Sequence, residues 1–201
     1  MQLTLEFDQA EHAYTLGGVR IPSVTQVLSH GQDLSRIPPW TAQRGTAFHL
    51  ATEYDDVGDL DEASVDDLVR PHLDAYRKWR AYRRPQYHAT EIKVWGELDG
   101  LRFAGTIDRV IVLDVDVMST RADHVRLMDL KSGAPRKEHG AQLAAYAVAY
   151  EQRAENQRVV DRMGVYCLKD GTFSEKPYGR EHLEAFRVKL HQWYEANKEE
   201  N

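Results

Sequence analysis

The sequence predicts an α/β protein with a central mixed β-sheet flanked by helices, preceded by an N-terminal hairpin and a helical region. Three observations carry this. A Gly17-Gly18 turn near the start separates two short β-type runs. Asp99-Gly100, a strong hairpin signal, joins two long β runs. Beyond them, helix-period and strand-period segments alternate to the end of the chain, as in layered α/β folds. The 201 residues fit one domain, 1–201, with hairpin and helices over 1–85 and the core over 86–201.

The elements follow in order. LTLEF alternates, and HAYTL and VRIP flank the glycine pair. Ser23 suits the N-cap of a short helix through about Leu28. Gly31 and Pro38-Pro39 interrupt the chain. Helices are expected from about Trp40 to Tyr54 and from Val65 to Arg84; the second brings Leu68, Leu73, Tyr76, Trp79 and Tyr82 together at helical spacing. TEIKVWGEL, LRFAGTIDRVIVLD and VRLMDLK make a three-strand meander. An alanine-rich helix spans Glu138 to Arg153, VVDRMGVYCLK is a strand, and Arg180 to Asn197 forms a closing amphipathic helix.

Composition sets the outer limits. Hydrophobic residues make up 42% and charged residues 29%, an ordinary soluble balance. No stretch approaches the ~20 apolar residues of a membrane span, and no secretory signal is visible at the N-terminus, so a cytoplasmic protein is expected. Cys167 is the only cysteine, which excludes an internal disulfide and a cysteine-ligated zinc or iron–sulfur centre. The net charge of −6 argues against a general nucleic-acid coat protein. It is uneven, however: residues 53–67 carry only acids, whereas 77–84 carry Arg77, Lys78, Arg80, Arg83 and Arg84, read as a basic patch.

Chemistry concentrates on two strands. Alternate residues of a strand share a face, so Val125, Leu127, Asp129 and Lys131 align, with the two charges at one strand end beside Gly133. Leu130 points away, which leaves its backbone carbonyl free to act as an oxygen ligand near Asp129. In the preceding strand, Thr106, Asp108, Val110 and Val112 are expected on one face, and Ile107, Arg109, Ile111 and Leu113 on the other. Asp108 sits in a strongly apolar run, where an unpaired charge is costly; a divalent cation is a fitting partner. Two carboxylates and a carbonyl suit Mg²⁺ or Mn²⁺, which polarise a phosphoryl oxygen and activate water. Lys131 beside them supplies charge for the transition state.

Gly105-Thr106-Ile107-Asp108 followed by Asp129-Leu130-Lys131 resembles the PD-(D/E)XK nuclease superfamily. Gln142-Leu143-Ala144-Ala145-Tyr146 and Arg44-Gly45-Thr46-Ala47-Phe48-His49 are similar to the Q-x-x-x-Y and R-G-x-x-x-H helices of its RecB-like branch, and Pro22-Ser23-Val24-Thr25 to the start of phage-type members. Ile107 before Asp108, and Asp129 for the commoner glutamate, depart from the family's consensus but are usual in that branch. The resemblance implies a restriction-endonuclease-like core and a metal-dependent DNA exonuclease acting in recombination, repair or DNA processing. It implies metal ligation by His49, Asp108, Asp129 and the Leu130 carbonyl, with Lys131 assisting catalysis. Gln142 and Tyr146 would support the site and contact DNA, and Arg44 belongs to the same motif set. It also implies a possible homo-oligomer and a single-strand annealing protein as partner.

Weaker assignments attach to neighbouring residues. Glu53, one turn beyond His49, would orient its imidazole; Glu91 stands where related nucleases place an acid near the metal; Arg136 is placed for phosphate. The Arg77, Arg80, Arg84 stripe with Trp79 and Tyr82 reads as a solvated helix face with inward aromatics rather than as a DNA contact. Two rival functions stand beside the exonuclease: an inactive DNA-binding or assembly module that keeps the fold, and an RNA or structure-specific endonuclease.

Overall fold

The computed structural model describes residues 3–33, 35, 38–112, 124–154 and 157–198. Strands β1 (Leu5–Asp8), β2 (Ala13–Leu16) and β3 (Val19–Ile21) form an antiparallel sheet of their own, one strand more than a hairpin. Helix α1 (Val24–Ser29) follows directly. Ser23 caps it: its hydroxyl accepts from the Gln26 amide at 3.1 Å, while the Gln26 side chain accepts from the Ser23 amide at 2.8 Å.

Helix α2 runs Pro39–Val57 and α3 runs Arg70–Arg83. The sequence reading started α3 five residues too early. Pro71 explains the difference: without an amide proton it is accommodated in a first turn but not in a helix interior. Leu68 therefore lies outside the helix, 62% exposed, and Tyr82 is 67% exposed, so neither joins the buried set of Leu73, Tyr76 and Trp79.

The main sheet contains β4 (Gln86–Leu98), β5 (Leu101–Val112), β6 (His124–Lys131), β7 (Arg158–Cys167) and β8 (Phe173–Pro177), in chain order across the sheet. The first three pair antiparallel, β6 and β7 are parallel, and β8 is antiparallel to β7, giving the expected mixed sheet. Helix α4 (Glu138–Glu151) makes the crossover between the parallel pair, and α5 (Leu183–Ala196) closes the chain. The β4–β5 turn takes positive φ at both Asp99 and Gly100, 54° and 78°, as its Asp-Gly sequence favours. The edge strand β8 escaped the sequence reading because FSEKP is short and half charged; its pairing is made by backbone.

Helices cover both faces. Val110, Leu127, Leu143, Phe186 and Leu190 pack on the face of α1, α4 and α5; Phe48, Leu73, Trp79, Ile111, Met128 and Leu130 pack on the face of α2 and α3. One expectation fails here. Ile107 and Val110 join the same core, and Ile111 joins the opposite one, so strict alternation along β5 breaks between Ile107 and Ile111. The break lies beside Glu91, which has φ 46° and no register partner between Ile92↔Ile107 and Thr90↔Arg109. Leu113, assigned to one of these faces, lies outside the described residues.

Candidate active site

The site forms where β5 and β6 part. Their register runs Ile111↔Arg126, Val110↔Leu127, Arg109↔Met128 and goes no further, so Asp108 and Asp129 flank the fork. Across it, the Leu130 amide donates to Asp108 Oδ2 at 2.6 Å. Asp108 is thus partly satisfied by backbone, as a buried carboxylate requires. The fork opens into a cleft of about 760 Å³, with α2 on one side and the N-terminal sheet on another.

His49 of α2, Glu91 of β4 and Asp108 of β5 converge there. His49 Nδ1 lies 3.6 Å from Glu91 Oε1 and 3.7 Å from Asp108 Oδ2. One ligand atom from each falls within 4.8 Å of the others. Ligands at about 2.0–2.2 Å from one ion lie about 3–4 Å apart, so this spacing matches a shared cation. Burial pushes the His49 imidazole toward its neutral form, but the Asp108 and Glu91 carboxylates outweigh it and leave the pKa above the ordinary value. Of the acids, Glu91 was read from sequence only as a neighbour of the site; the irregular backbone of β4 brings it in.

Asp129 does not join that trio. Lys131 Nζ lies 2.9 Å from its Oδ1 and 2.8 Å from its Oδ2, yet Oδ2, fully buried, has no hydrogen bond of acceptable geometry. Burial raises the Asp129 carboxyl above its ordinary pKa, offset in part by Lys131. Burial also works against the Lys131 ammonium, but Asp129 and Asp108 hold its pKa above the ordinary value. Lys131 is thus held in its charged form and donates to Asp129. The Leu130 side chain is buried in the opposite core, as expected.

The supporting groups are mostly buried. Arg44 Nη2 donates to the Ser132 carbonyl at 2.7 Å and so ties α2 to the end of β6. Gln142 Nε2 donates to Tyr146 Oη at 3.2 Å; both are buried on α4, and Tyr146 lines the cleft. Gly105 is required by that tyrosine, since a Cβ there would stand 2.5 Å from Tyr146 Cε1. Glu53 lines the cleft, but no hydrogen bond joins it to His49 among the described residues; Glu91 and Asp108 take that place. Arg136 is exposed just before α4.

The basic run at 77–84 is no free patch. Arg77 bonds Asp55 and Glu62, Arg80 bonds Asp55 and Asp56, and Arg83 bonds Glu175. Part of the acidic run, Asp55, Asp56 and Glu62, thus pairs with Arg77 and Arg80 of α3.

Sequence reasoning missed two groups. The first is fully buried Arg109, which reaches Asp56 Oδ2 at 2.9 Å, Glu91 Oε1 at 3.2 Å and Thr52 Oγ1 at 3.2 Å. His49, Thr52 and Asp56 stand at i, i+3 and i+7, one stripe of α2, and that spacing was the available signal. The second is His139, stacked on Tyr166 at 5.6 Å. Its Nδ1 accepts from the Arg136 amide at 3.2 Å and meets Tyr166 Oη at 3.0 Å. An amide can only donate, so Nδ1 is unprotonated and the ring neutral. Burial, with Lys131 nearby, pushes its pKa down to about 4.

A stability prediction follows. The unfolded chain protonates His139 near pH 6.5, the folded one only near 4. Stability is thus full above pH 6.5 and falls as pH drops toward 4, by on the order of 1–2 kcal/mol after discounting for partial exposure. Urea unfolding at pH 7.5 and 4.5 should show this difference shrink in His139→Gln; an unchanged difference would refute it.

The donor set of two carboxylates and one imidazole nitrogen, with an orphaned carboxylate oxygen beside it, fits a divalent cation. The sequence profile of the PD-(D/E)XK nuclease superfamily matches residues 26–200. A crystal structure named for a candidate exonuclease of Eubacterium rectale is similar in fold, with TM-score 0.53 and 8% identity, covering 86% of this chain and 77% of that one. A second structure, named SSO0001, has TM-score 0.37 and 13% identity, covering 85% and 84%. No curated protein matches the chain in sequence.

Proposed function

The chain belongs to the PD-(D/E)XK nuclease superfamily, and from that premise we propose that it is a RecB-like DNA exonuclease that cleaves phosphodiester bonds with Mg²⁺ or Mn²⁺. The single observation that carries this is the convergence of His49, Glu91 and Asp108, from three separate elements, opposite the Lys131–Asp129 pair. When bound, the cation supplies Lewis acidity at the phosphoryl group and activates water.

The chain's own residues do the rest. His49, Asp108 and Glu91 would hold the cation, and Asp129 and the Leu130 carbonyl are the further ligands we assign to it. Lys131, fixed by Asp129, directs an ammonium proton at the non-bridging oxygen where charge builds up. Tyr146, kept in place by Gln142 and the bare backbone of Gly105, shapes the floor on which the strand lies. Arg136, exposed beyond the end of β6, is available to a neighbouring phosphate.

DNA as the polymer, exonucleolytic mode, a recombination or repair role, a single-strand annealing partner and homo-oligomeric assembly rest on the phage-type resemblance. The reading of 1–201 as one nuclease domain rests on chain length, and a cytoplasmic site of action on composition. Among the described residues no helix is long and apolar enough to cross a membrane.

Calorimetry with Mn²⁺ tests the metal set. The expected result is binding weakened at least tenfold, by roughly 1.4 kcal/mol or more, in each of Asp108→Ala, His49→Ala and Glu91→Ala. Unaltered binding in Asp108→Ala would reject the site. Digestion of end-labelled linear DNA against closed circular DNA tests the mode: loss of both at equal rates would replace exonuclease by endonuclease, and preferential loss of RNA would replace the substrate.

A further inference from the structure

One wall of the cleft is unlike the rest. His49 and Glu53 of α2, with Glu91 of β4, line one side, whereas the N-terminal sheet presents Phe7, His12 and Tyr14. Tyr14 is buried and bonded through its hydroxyl to Thr106 Oγ1 at 2.8 Å, two residues before Asp108, so the wall is fixed to the strand that carries the chemistry. Phe7 packs on Tyr14 with centroids 4.7 Å apart but is itself only half-buried. His12 is exposed and sits edge-on to Phe7 at 5.3 Å. It is held there by a left-handed backbone, φ 53°, that a residue with a Cβ adopts at a cost. Lys93, exposed on β4, places Nζ 5.7 Å from the Phe7 centroid.

Resting on the nuclease reading above, we propose that Phe7 and His12, with Lys93, form a stacking station for an unpaired base, so that the cleft takes a single-stranded polynucleotide end. The chemistry is that of non-specific single-strand binding: an aromatic ring for a base, and over that ring a cation on a flexible, exposed arm that swings to the phosphate as the base takes its place. Here the two come from neighbouring sheets and meet at the rim of the same cleft as the metal set. A base inside a duplex has both faces covered by its neighbours and offers nothing to the ring; an unpaired one does. Leu16, Ile21 and Ala104 are the inner members of this small core; Phe7 packs against its rim and His12 is no part of it. The cleft then has two functional sides, a base-holding wall and an acid wall, with the sugar-phosphate chain between them.

The test is fluorescence anisotropy of labelled oligonucleotides in EDTA, where no cleavage occurs. Wild type should bind a single strand at least tenfold more tightly than a blunt duplex. Phe7→Ala should lose about tenfold of single-strand affinity, and a strand with abasic positions should bind wild type as weakly as the normal strand binds Phe7→Ala. Phe7→Leu keeps the apolar bulk against Tyr14 and so guards against misfolding; it should lose affinity too while melting like wild type. Lys93→Ala should weaken binding and flatten its salt dependence. Equal binding of single strand and duplex, or unchanged affinity in Phe7→Leu with the abasic strand bound normally, would overturn the station. A protein that binds in this way but never cleaves with Mg²⁺ or Mn²⁺ would instead sink the nuclease reading and leave the station standing.

Discussion

Lys131→Met is expected to lower the single-turnover rate of DNA cleavage by on the order of a hundred- to a thousandfold, the loss typical when one preorganised donor is removed from a developing oxyanion. Two effects must be separated. Lys131 also neutralises Asp129, which is 1% exposed, and removing one partner of a buried pair costs roughly 3–5 kcal/mol. Part of that cost is relieved because burial already favours the protonated carboxyl. The double variant Lys131→Met/Asp129→Asn removes both charges and should regain most of the lost melting temperature. If Lys131 acts on the phosphate, the double variant is folded but cleaves more slowly than Asp129→Asn alone, which keeps the ammonium. A charge-free Lys131→Met that cleaves at the wild-type rate would show that the ammonium is there for the fold alone. Lys131→Arg is expected to rescue poorly, since the planar guanidinium cannot occupy the point position held by Nζ.

The parts of this site that were legible in sequence are those whose geometry is local. Asp129 and Lys131 are two apart on one strand, so period-two alternation placed them together before any tertiary contact was known. Gln142 and Tyr146 are four apart on a helix, and they do share a face. The hairpin at Asp99-Gly100 was readable because that turn demands positive φ and the residues supply it. What could not be read depends on departures from regularity. Glu91 stands in the metal set with a left-handed backbone, φ 46°, and Ile107 and Val110 share one core although alternation assigned them to opposite faces. The basic stripe of α3 was misread as a patch because charge in sequence says nothing about which helix lies across from it; Asp55, Asp56 and Glu62 do. Glu53 was read as the companion of His49 because it lies one turn further along the helix. The helix instead turns the i+3, i+7 stripe inward.

That stripe supports the second large prediction. Asp56 accepts from Tyr76 Oη at 2.7 and 2.8 Å and from Arg80 at 2.9 Å, and it pairs with Arg109, whose side chain is 0% exposed. Asp56→Ala strands a buried guanidinium, and a loss of roughly 3–5 kcal/mol is expected. In a chain of this size that lowers the melting temperature by about 10 °C. The consequence for function runs through Arg109, which also donates to the Asp108 carbonyl at 2.8 Å and to Glu91 at 3.2 Å. It is a positioning residue: it fixes two metal-set acids from behind without touching substrate. The double variant Asp56→Leu/Arg109→Met distinguishes this from bulk stability. Replacing a buried pair by apolar groups of similar volume is often neutral for folding, so melting should recover by more than half relative to Asp56→Ala. Mn²⁺ affinity should not, because Glu91 has lost the guanidinium that holds it toward His49. Recovery of both would make the arginine a structural strut and nothing more. Recovery of folding alone would show that the helix which presents His49 also aims the acids that His49 meets, by way of a buried charge that the opposite face of β5 was expected to keep apart from the site.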